Sequence, residues 1–189
     1  MILSILIPTL DSRKEYLNNM LDNINSQINK LSEGIHHIEL CIDNRVSKST
    51  GEKRNFLLEK AKGKYVWFVD DDDEISTNAI KLIVNALKSN PDVIGIDGWM
   101  TTDGENRVDW EMRLGHPYCA TKRDGKEFYL RFPNHISVMR TEIARQVKFK
   151  HVTMGEDYAW AKEINDRCLL KTEAVIGVPL YHYKFRSKK

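Results

Sequence analysis

The fold of this chain is constrained most by the alternation of short apolar segments with amphipathic segments in its first half. The apolar segments are residues 2–7, 38–42, 65–69 and 93–96. The segments between them repeat apolar residues at helical spacing, and both Ser12 with Glu15 and Ser49 with Glu52 have the spacing of a helix capping box. Buried strands joined by helices predict a right-handed β-α-β series, and thus an α/β fold with a mainly parallel central sheet flanked by helices.

The second half of the sequence has a less regular spacing of apolar residues. After Gly98 it favours loops and short strand pairings, with a strand near residues 136–139, a helix over 157–166 and a last strand over 172–183. A chain of 189 residues is about one domain long. We therefore predict one domain in which residues 99–189 form a small appended lobe that shares a core with residues 1–98.

The charge balance excludes some partners. Lys and Arg total 29 and Asp and Glu total 27, so the net charge is only +2. This balance argues against a basic footprint over the whole protein, of the kind that binds a nucleic-acid backbone. The C-terminal tail, with Lys184, Arg186, Lys188 and Lys189, still leaves a nucleic-acid acceptor open.

The cysteines and the apolar runs indicate the compartment. Cys41, Cys119 and Cys168 are an odd number without a CxxC pair, so we expect free, mostly buried thiols in a reducing, cytoplasmic setting. No apolar run approaches the roughly 20 residues of a transmembrane helix. The first eight residues lack a basic region before them and a cleavage site after them, so we do not read them as a signal peptide.

Acidic and polar side chains follow three of the predicted strands. Thr9 and Asp11 follow the first, Asp43 the second, and the acidic run 70–74 the third. Ligands of open parallel sheets bind beyond the carboxyl ends of the strands, so these residues are expected at one site. Adjacent carboxylates repel one another, and Mg²⁺ or Mn²⁺ would offset that repulsion. The alternative is a solvated loop that suits the N-terminus of the next helix.

Glycine-rich phosphate cradles are absent from the sequence. It contains neither a P-loop nor a GxGxxG after a strand. Bound phosphates would therefore be held by metal and by basic side chains such as Lys53 and Arg54, although a basic pair on a helix is more often simply solvated.

These residues resemble the motifs of family 2 glycosyltransferases of the GT-A fold. The segment 7–11 is similar to the family's opening strand, and Asp43 to the acid that the family uses on the nucleotide base. The segment 51–73 resembles its Arg-Asn helix and DXD motif, and Gly155, Glu156 and Asp157 resemble its ED motif. After Asp43 the chain departs from the family's Asp-Gly-Ser, with residues 44–47 reading Asn-Arg-Val-Ser.

The resemblance implies a metal-dependent, inverting transfer of a sugar from a nucleotide-diphospho-sugar, expected to be UDP-linked, to a hydroxyl acceptor such as a soluble glycan. Residues 1–98 would bind the nucleotide sugar, and residues 99–189 would bind the acceptor and carry the catalytic base. The implied donor-binding residues are Pro8, Thr9, Asp11, Asp43, Arg54, Asn55, Asp70 and Asp71. Asp72, Asp70 and His182 would hold Mn²⁺ or Mg²⁺, and Asp157 would be the base with Glu156 beside it.

Plain structural roles compete with several of these assignments. Asp157 could be an ordinary first-turn acid, and His182 a hydrogen-bonded core histidine between two tyrosines. Asn134 and His135 either line the acceptor pocket or form a turn. Tryptophans at 99, 110 and 160 could stack on a sugar, although core packing is the more common role.

Two other functional classes fit the same acidic residues. A metal-dependent nucleotidyltransferase also uses paired carboxylates at a strand end, but it transfers a nucleotide instead of a sugar. A non-catalytic module that binds divalent cations or another protein would not need Asp157 at all.

Overall fold

The computed structural model describes residues 1–31 and 38–187, and all structural statements concern these ranges. His36, His37, Lys188 and Lys189 lie outside them. The strands are β1 (Leu3–Pro8), β2 (Ile38–Asp43), β3 (Tyr65–Phe68), β4 (Glu74–Ile75), β5 (Val93–Thr102), β6 (Glu105–Met112), β7 (Cys119–Arg123), β8 (Lys126–Arg131), β9 (Val138–Arg140) and β10 (Glu173–Phe185). The α-helices are α1 (Lys14–Asn29), α2 (Thr50–Lys60), α3 (Ala79–Ala86), α4 (Thr141–Ala144) and α5 (Glu156–Asp166).

The strands form one continuous sheet in the order β2-β1-β3-β9-β5-β6-β8-β7, and β10 pairs with β5 and β4. Strand β1 runs parallel to both β2 and β3, and β10 runs parallel to β5. The short strand β9 lies antiparallel between β3 and β5, so it separates the two parallel groups. The predicted α/β fold, with a mostly parallel central sheet flanked by helices, is confirmed.

Both faces of the sheet are covered, as the continuous apolar strands predict. In β1, Leu3, Ile5 and Ile7 point into the core on the side of α1 and α3, whereas Leu6 points into the core under α2 and α5. The alternation follows from the two-residue period of a strand. Because the helices cover the faces, the ends of the strands are left for a binding site.

One of the two predicted capping boxes is confirmed and the other is wrong. Ser49 accepts from the Glu52 backbone N–H, and the Glu52 side chain accepts from the Ser49 N–H, at the start of α2. At the first helix, residues Asp11–Arg13 instead form a 3₁₀ turn, and α1 begins at Lys14 without a side-chain cap. A 3₁₀ turn is a common way to open an α-helix, and it replaces the predicted role of Ser12.

Strand β5 differs from its predicted length. The sequence predicts a strand over residues 93–96, but the strand continues to Thr102 because β6 and β10 pair with it on its two sides beyond Ile96. Strands β6, β7 and β8, within residues 99–189, extend the same sheet. Strand β5 itself crosses the predicted boundary at residue 98 without a break.

The cysteines are free thiols in the described part of the chain, but they are less buried than predicted. Cys41 and Cys119 are half-buried and Cys168 is exposed. Across the described residues, no helix has both the length and the apolar character that a membrane crossing requires.

Candidate active site

A cavity of about 680 Å³ opens at the carboxyl ends of β1 and β3. Eight residues predicted for the site line it: Pro8, Thr9, Arg54, Asp70, Asp71, Asp72, Glu156 and Asp157. One wall comes from the first half of the chain. The facing wall comes from β6, β8, the loop before β9 and the start of α5, so the two halves enclose the cavity between them.

The four aspartates after β3 have four different environments. Asp71 is buried, accepts from the Thr9 hydroxyl at 2.5 Å and pairs with Arg13 at 2.9 Å. Asp73 is also buried and points away from the cavity. It accepts from the Tyr181 hydroxyl at 2.7 Å. Asp71 therefore joins β1 to the acidic turn, and Asp73 joins that turn to β10.

Asp70 is paired with a buried arginine. Arg54, from α2, donates Nη2 to Asp70 at 2.9 Å and Nη1 to Glu156 at 2.9 Å, and its own side chain is only 4% exposed. Burial alone would raise the pKa of Asp70, but Arg54 and His135 hold it below its usual range. Burial raises the pKa of Glu156 although Arg54 opposes the shift. Arg54 thus ties the acidic turn to the start of α5.

Asp72 is the residue of the run best placed to hold a metal ion. Its side chain is 17% exposed, lies in the cavity wall and contacts Arg13 at 3.2 Å. Burial and the nearby carboxylates of Asp71 and Asp70 raise its pKa, and Arg13 only partly opposes them. Within the described residues, no group of three or more His, Cys, Asp or Glu side chains could hold a metal by itself. A site of one or two carboxylates fits Mg²⁺ or Mn²⁺ when substrate phosphates supply further ligands.

Asp157 lies at the first turn of α5 and faces the same cavity. His135 connects it to the acidic turn: its Nε2 is 3.3 Å from Asp70 Oδ2 and its Nδ1 is 3.6 Å from Asp157 Oδ2. The two regions singled out in the sequence therefore share one cavity. This is the arrangement that a base acting opposite a leaving group requires.

The loop before α5 is positioned by a close approach at Gly51 in α2. A Cβ atom at Gly51 would lie 1.8 Å from the Lys150 carbonyl oxygen, so only glycine fits there. The Gly51 N–H donates to the Val152 carbonyl at 3.1 Å. Gly155 then takes a positive φ of 78° and begins α5. These two glycines hold Glu156 and Asp157 against the end of the sheet.

Two buried nitrogen atoms of the site have no hydrogen-bond partner within the described residues. They are Nε of Arg54 and Nδ1 of His135, and both side chains line the cavity. Buried polar atoms are nearly always paired.

Four predicted site residues lie outside the lining of the cavity. Asp11 is exposed and accepts from Asn44 at 2.8 Å. Asn55 is buried and exchanges two hydrogen bonds with the backbone of Phe149, which is a structural contact. These placements differ from the predicted contacts with a nucleotide.

Asp43 is covered by an arginine from the segment in which the chain departs from the family pattern. Arg45 donates Nε to Asp43 Oδ1 at 2.9 Å and Nη2 to Oδ2 at 2.6 Å, and its guanidinium lies 3.9 Å over the Phe56 ring. The Asp43 side chain is 1% exposed. Its carboxylate is therefore not presented to the cavity.

His182 is placed on the far side of β10 from the predicted metal ligands. Its Nδ1 contacts Glu74 at 3.1 Å, its Nε2 contacts the Thr101 hydroxyl at 2.9 Å, and its ring stacks on Trp99 at 4.9 Å. Both ring nitrogens already have partners, so the structure does not bring His182 together with Asp72.

The remaining residues with two open interpretations are now located. Asn134 and His135 both line the cavity, and Asn134 also forms a turn by accepting from the Ile136 N–H at 3.1 Å. Trp160 is a core residue stacked on Phe149, whereas Trp110 lines the cavity although it is only 5% exposed.

Sequence reasoning missed Arg13, Tyr118 and Arg131 in the cavity wall. Arg13 could have been found from the sequence. It follows the first strand by a few residues, where a cation that faces the acidic run would be expected. Tyr118 and Arg131 lie in the lobe, where no periodicity marks their positions.

Comparisons with known proteins agree with this architecture. The sequence model of the family described as Glycosyl transferase family 2 matches residues 41–148, which is more than half of the chain. No curated protein matches the sequence.

Among solved structures, S. aureus TarS 1-349 in complex with UDP-GlcNAc superposes with a TM-score of 0.69 at 16% identity, over 100% of this chain and 60% of that one. The complex of the same fragment with UDP gives a TM-score of 0.67 at 16% identity, over 97% of this chain and 60% of that one. A longer S. aureus TarS structure gives 0.66 at 16% identity, over 97% of this chain and 37% of that one. The chain thus spans 60% or less of the length of these proteins, and the likeness is one of fold.

Proposed function

The chain belongs to glycosyl transferase family 2, and from this premise we propose that it transfers a sugar from a nucleotide-diphospho-sugar to a hydroxyl acceptor. One observation carries the proposal: the acidic turn and Asp157 face each other across a single cavity and are joined by His135. The two chemical demands of the reaction, a proton acceptor and a place for a leaving diphosphate, are thereby met in one space.

The donor is proposed to lie against the first half of the chain. Pro8, Thr9 and Arg54 line that wall, and the Arg54 Nε lacks an acceptor. Lys53 also lines the cavity and donates to the Thr9 carbonyl at 2.5 Å, and among the described residues it forms no ion pair, so its charge can act on a bound phosphate. We propose a UDP-linked sugar, since the same fold in TarS is seen with UDP and with UDP-GlcNAc.

A divalent cation is proposed to bind at Asp72, with Asp70 nearby. When bound it would neutralise the charge that develops on the departing diphosphate. Arg13 now partly balances Asp72, and it is 39% exposed, so it can turn toward a phosphate. Asp71 and Asp73 fix the turn by accepting hydrogen bonds from the hydroxyl groups of Thr9 and Tyr181. These bonds keep Asp72 directed into the cavity.

Asp157 is proposed as the base of an inverting reaction. As the acceptor oxygen attacks the anomeric carbon from the face opposite the diphosphate, the bond from that carbon to the phosphate oxygen breaks. The acceptor's proton passes to an Asp157 oxygen, and the diphosphate leaves with the bonding electron pair. Glu156 does not face the substrate as a base in this scheme, because its carboxylate is buried against Arg54.

The two halves of the chain are proposed to divide these tasks. Residues 1–98 bind the nucleotide sugar, and residues 99–189 bind the acceptor and supply the base. Residues from both halves line the cavity, which supports this division.

The proposal is tested by incubating the protein with UDP-, GDP-, CDP- and dTDP-linked sugars and Mn²⁺ and identifying the released products. Water can replace the acceptor, so slow release of a nucleoside diphosphate and free sugar is expected even before the acceptor is known. Asp157→Asn should abolish the release. Release of a nucleoside monophosphate or of pyrophosphate would instead indicate a nucleotidyltransferase, and no release with any donor would contradict the proposal.

A further inference from the structure

The acceptor side of the cavity contains an arginine without an acidic partner. Arg13, Lys48, Arg54 and Lys184, which also line the cavity, each have a carboxylate within 4.0 Å. Arg131, at the end of β8, has none within the described residues although its side chain lines the same cavity, and the same holds for Lys53 and Arg186 elsewhere in the lining. A half-buried guanidinium of this kind is a ready binding group for a carboxylate or phosphate.

Arg131 is held in a fixed orientation by its surroundings. Its Nη1 donates to the carbonyl oxygens of Cys119 at 2.8 Å and Leu130 at 2.9 Å. Its guanidinium lies 4.2 Å from the ring centre of Tyr118 and 4.4 Å from that of Tyr129. Since two rings and two carbonyls already restrain the side chain, little conformational entropy is lost when an anion binds.

A cluster of three aromatic rings packs beside Arg131 and the start of α5. It consists of Tyr118, Phe132 and Tyr158, whose rings are 4.9 to 6.2 Å apart. Tyr118 is 40% exposed and is the member of the cluster that lines the cavity, whereas Phe132 is buried. An exposed aromatic ring that its neighbours hold in place suits the apolar face of a sugar.

Arg131, Tyr118 and Asp157 line the same cavity. Tyr158 directly follows Asp157 in α5, and its ring meets Tyr118 edge to face. The Arg131 guanidinium lies over the Tyr118 ring. Burial raises the pKa of the Tyr118 hydroxyl, and the charge of Arg131 lowers it while that of Asp157 raises it. Tyr118 is thus the aromatic residue of the cavity that lies near both charged groups.

We propose that Arg131 and Tyr118 form the acceptor subsite, and that this subsite selects an anionic sugar, one bearing a carboxylate or a phosphate. The inference rests on the proposed sugar transfer and names the acceptor class for it. The acceptor's ring stacks on Tyr118, its anionic group pairs with Arg131, and one of its hydroxyl groups points to Asp157. A neutral glycan would leave the guanidinium without a counter-charge.

The experiment measures binding of three small sugars to protein saturated with UDP and Mg²⁺, by saturation-transfer difference NMR. The probes are methyl β-glucoside, methyl β-glucuronide and glucose 6-phosphate, which share a ring and differ in charge. We expect at least one of the two acidic sugars to bind roughly tenfold more tightly than the glucoside. Which of them does so distinguishes a carboxylate acceptor from a phosphate acceptor.

Substitutions test which residue causes the preference for an acidic sugar. Arg131→Gln should reduce binding of the acidic sugar to that of the glucoside, and Tyr118→Ala should weaken binding of all the sugars. Lys122→Gln removes an exposed charge from the same hairpin and should change nothing. Equal binding of glucoside and acidic sugars in the wild type, no binding of any of them, or a preference that survives Arg131→Gln would overturn the proposal.

Nucleotide affinity, measured on the same samples, distinguishes a failure of the acceptor inference from a failure of the sugar-transfer proposal on which it rests. If the wild type binds UDP but shows no preference for an acidic sugar, the acceptor inference fails and the sugar-transfer proposal stands. If the wild type binds none of UDP, GDP, CDP and dTDP, the sugar-transfer proposal fails.

Discussion

The Nδ1 atom of His135 lies 3.6 Å from the carboxylate of Asp157, close enough for an ion pair but too far for a hydrogen bond, and it has no hydrogen-bond partner within the described residues. The opposite ring nitrogen lies 3.3 Å from Asp70, and the histidine is 7% exposed. His135 therefore lies between the proposed base and the acidic turn, and we expect it to act as a positioning residue. Sequence reasoning left it undecided between a pocket and a turn.

We expect His135→Ala to lower kcat by up to about 100-fold, because a displacement of about 1 Å at a reacting group has effects of this size. KM for the donor should change less than kcat, since Asp70, which His135 also contacts, keeps its ion pair with Arg54. His135→Asn, which keeps a polar atom near Asp157, should recover part of kcat. Steady-state kinetics of diphosphate release measures both constants; a rise in KM at constant kcat would show that His135 only shapes the donor pocket.

Asp157→Asn should remove the proposed base without changing the size of the side chain. Loss of a general base lowers the rate about 10² to 10⁴-fold. The affinity for UDP, measured by calorimetry, should stay that of the wild type because the nucleotide lies on the other wall. Asp166→Asn, at the last residue of the same helix, is the matched control and should keep full activity. Full activity in Asp157→Asn would assign the proton transfer to another group.

Arg54 should prove the most important single residue for stability near the site. It is buried between Asp70 and Glu156, so Arg54→Met leaves two carboxylates without their counter-charge. Breaking a buried pair in this way costs about 3–5 kcal/mol. Urea denaturation should show that loss, and adding Glu156→Gln should recover part of it. Arg107→Met, which breaks an exposed pair with Asp109, should cost less than about 1 kcal/mol.

Asp92 gives a prediction of pH dependence away from the site. Its carboxylate accepts from the backbone N–H groups of Lys171 at 2.9 Å and Thr172 at 3.1 Å and from Arg140 at 3.2 Å. Burial alone would raise its pKa, but these donors lower it in the folded state. Its stabilisation is therefore complete above its ordinary pKa of about 3.9, and it is lost as the pH falls through the lower folded value.

Asp92→Asn should consequently destabilise the protein by about 1–2 kcal/mol at neutral pH. The difference from the wild type should shrink below about pH 4, where the carboxylate of the unfolded wild-type chain begins to take up a proton, and it should be lost once the folded carboxylate is protonated at lower pH. Thermal unfolding at a series of pH values measures it, with Asp109→Asn on an exposed strand position as the control. A difference that stays constant down to the lowest pH would mean that the carboxylate's charge is not involved.

The elements of the first half could be predicted because their causes are local. Strands such as Leu3–Pro8 and Tyr65–Phe68 are apolar throughout, and the capping box at Ser49 is read from residues three positions apart. The same local reading failed at Ser12, where a 3₁₀ turn satisfies the start of the helix equally well. Beyond Gly98, β5 is extended by pairing with β10, whose residues lie more than eighty positions further along the chain. No local sequence pattern reveals such a partner.

The acidic residues of the site could be predicted from the sequence, but the residues that form hydrogen bonds and ion pairs with them could not. The acidic turn and Asp157 stand in recognisable motifs, and the structure places them in one cavity. The pairings of Asp71 with Arg13 and of Asp73 with Tyr181 join distant residues, so they depend on how the sheet is assembled. The cover of Asp43 by Arg45 could have been suspected, since an arginine two residues after an acid reaches it easily.

The central claim is that Asp72 binds a divalent cation that in turn holds a nucleoside diphosphate. The thermal unfolding of the wild type and of Asp72→Ala, each with UDP and with or without Mn²⁺, tests it most directly. Asp22→Ala, an exposed acid on α1, is the control and should behave as the wild type does. With UDP at about a hundred times its Kd, the wild type should gain about 2.7 kcal/mol. We predict that most of this gain needs Mn²⁺ and that Asp72→Ala loses that part; an equal gain in Asp72→Ala, or none in the wild type, would contradict the account.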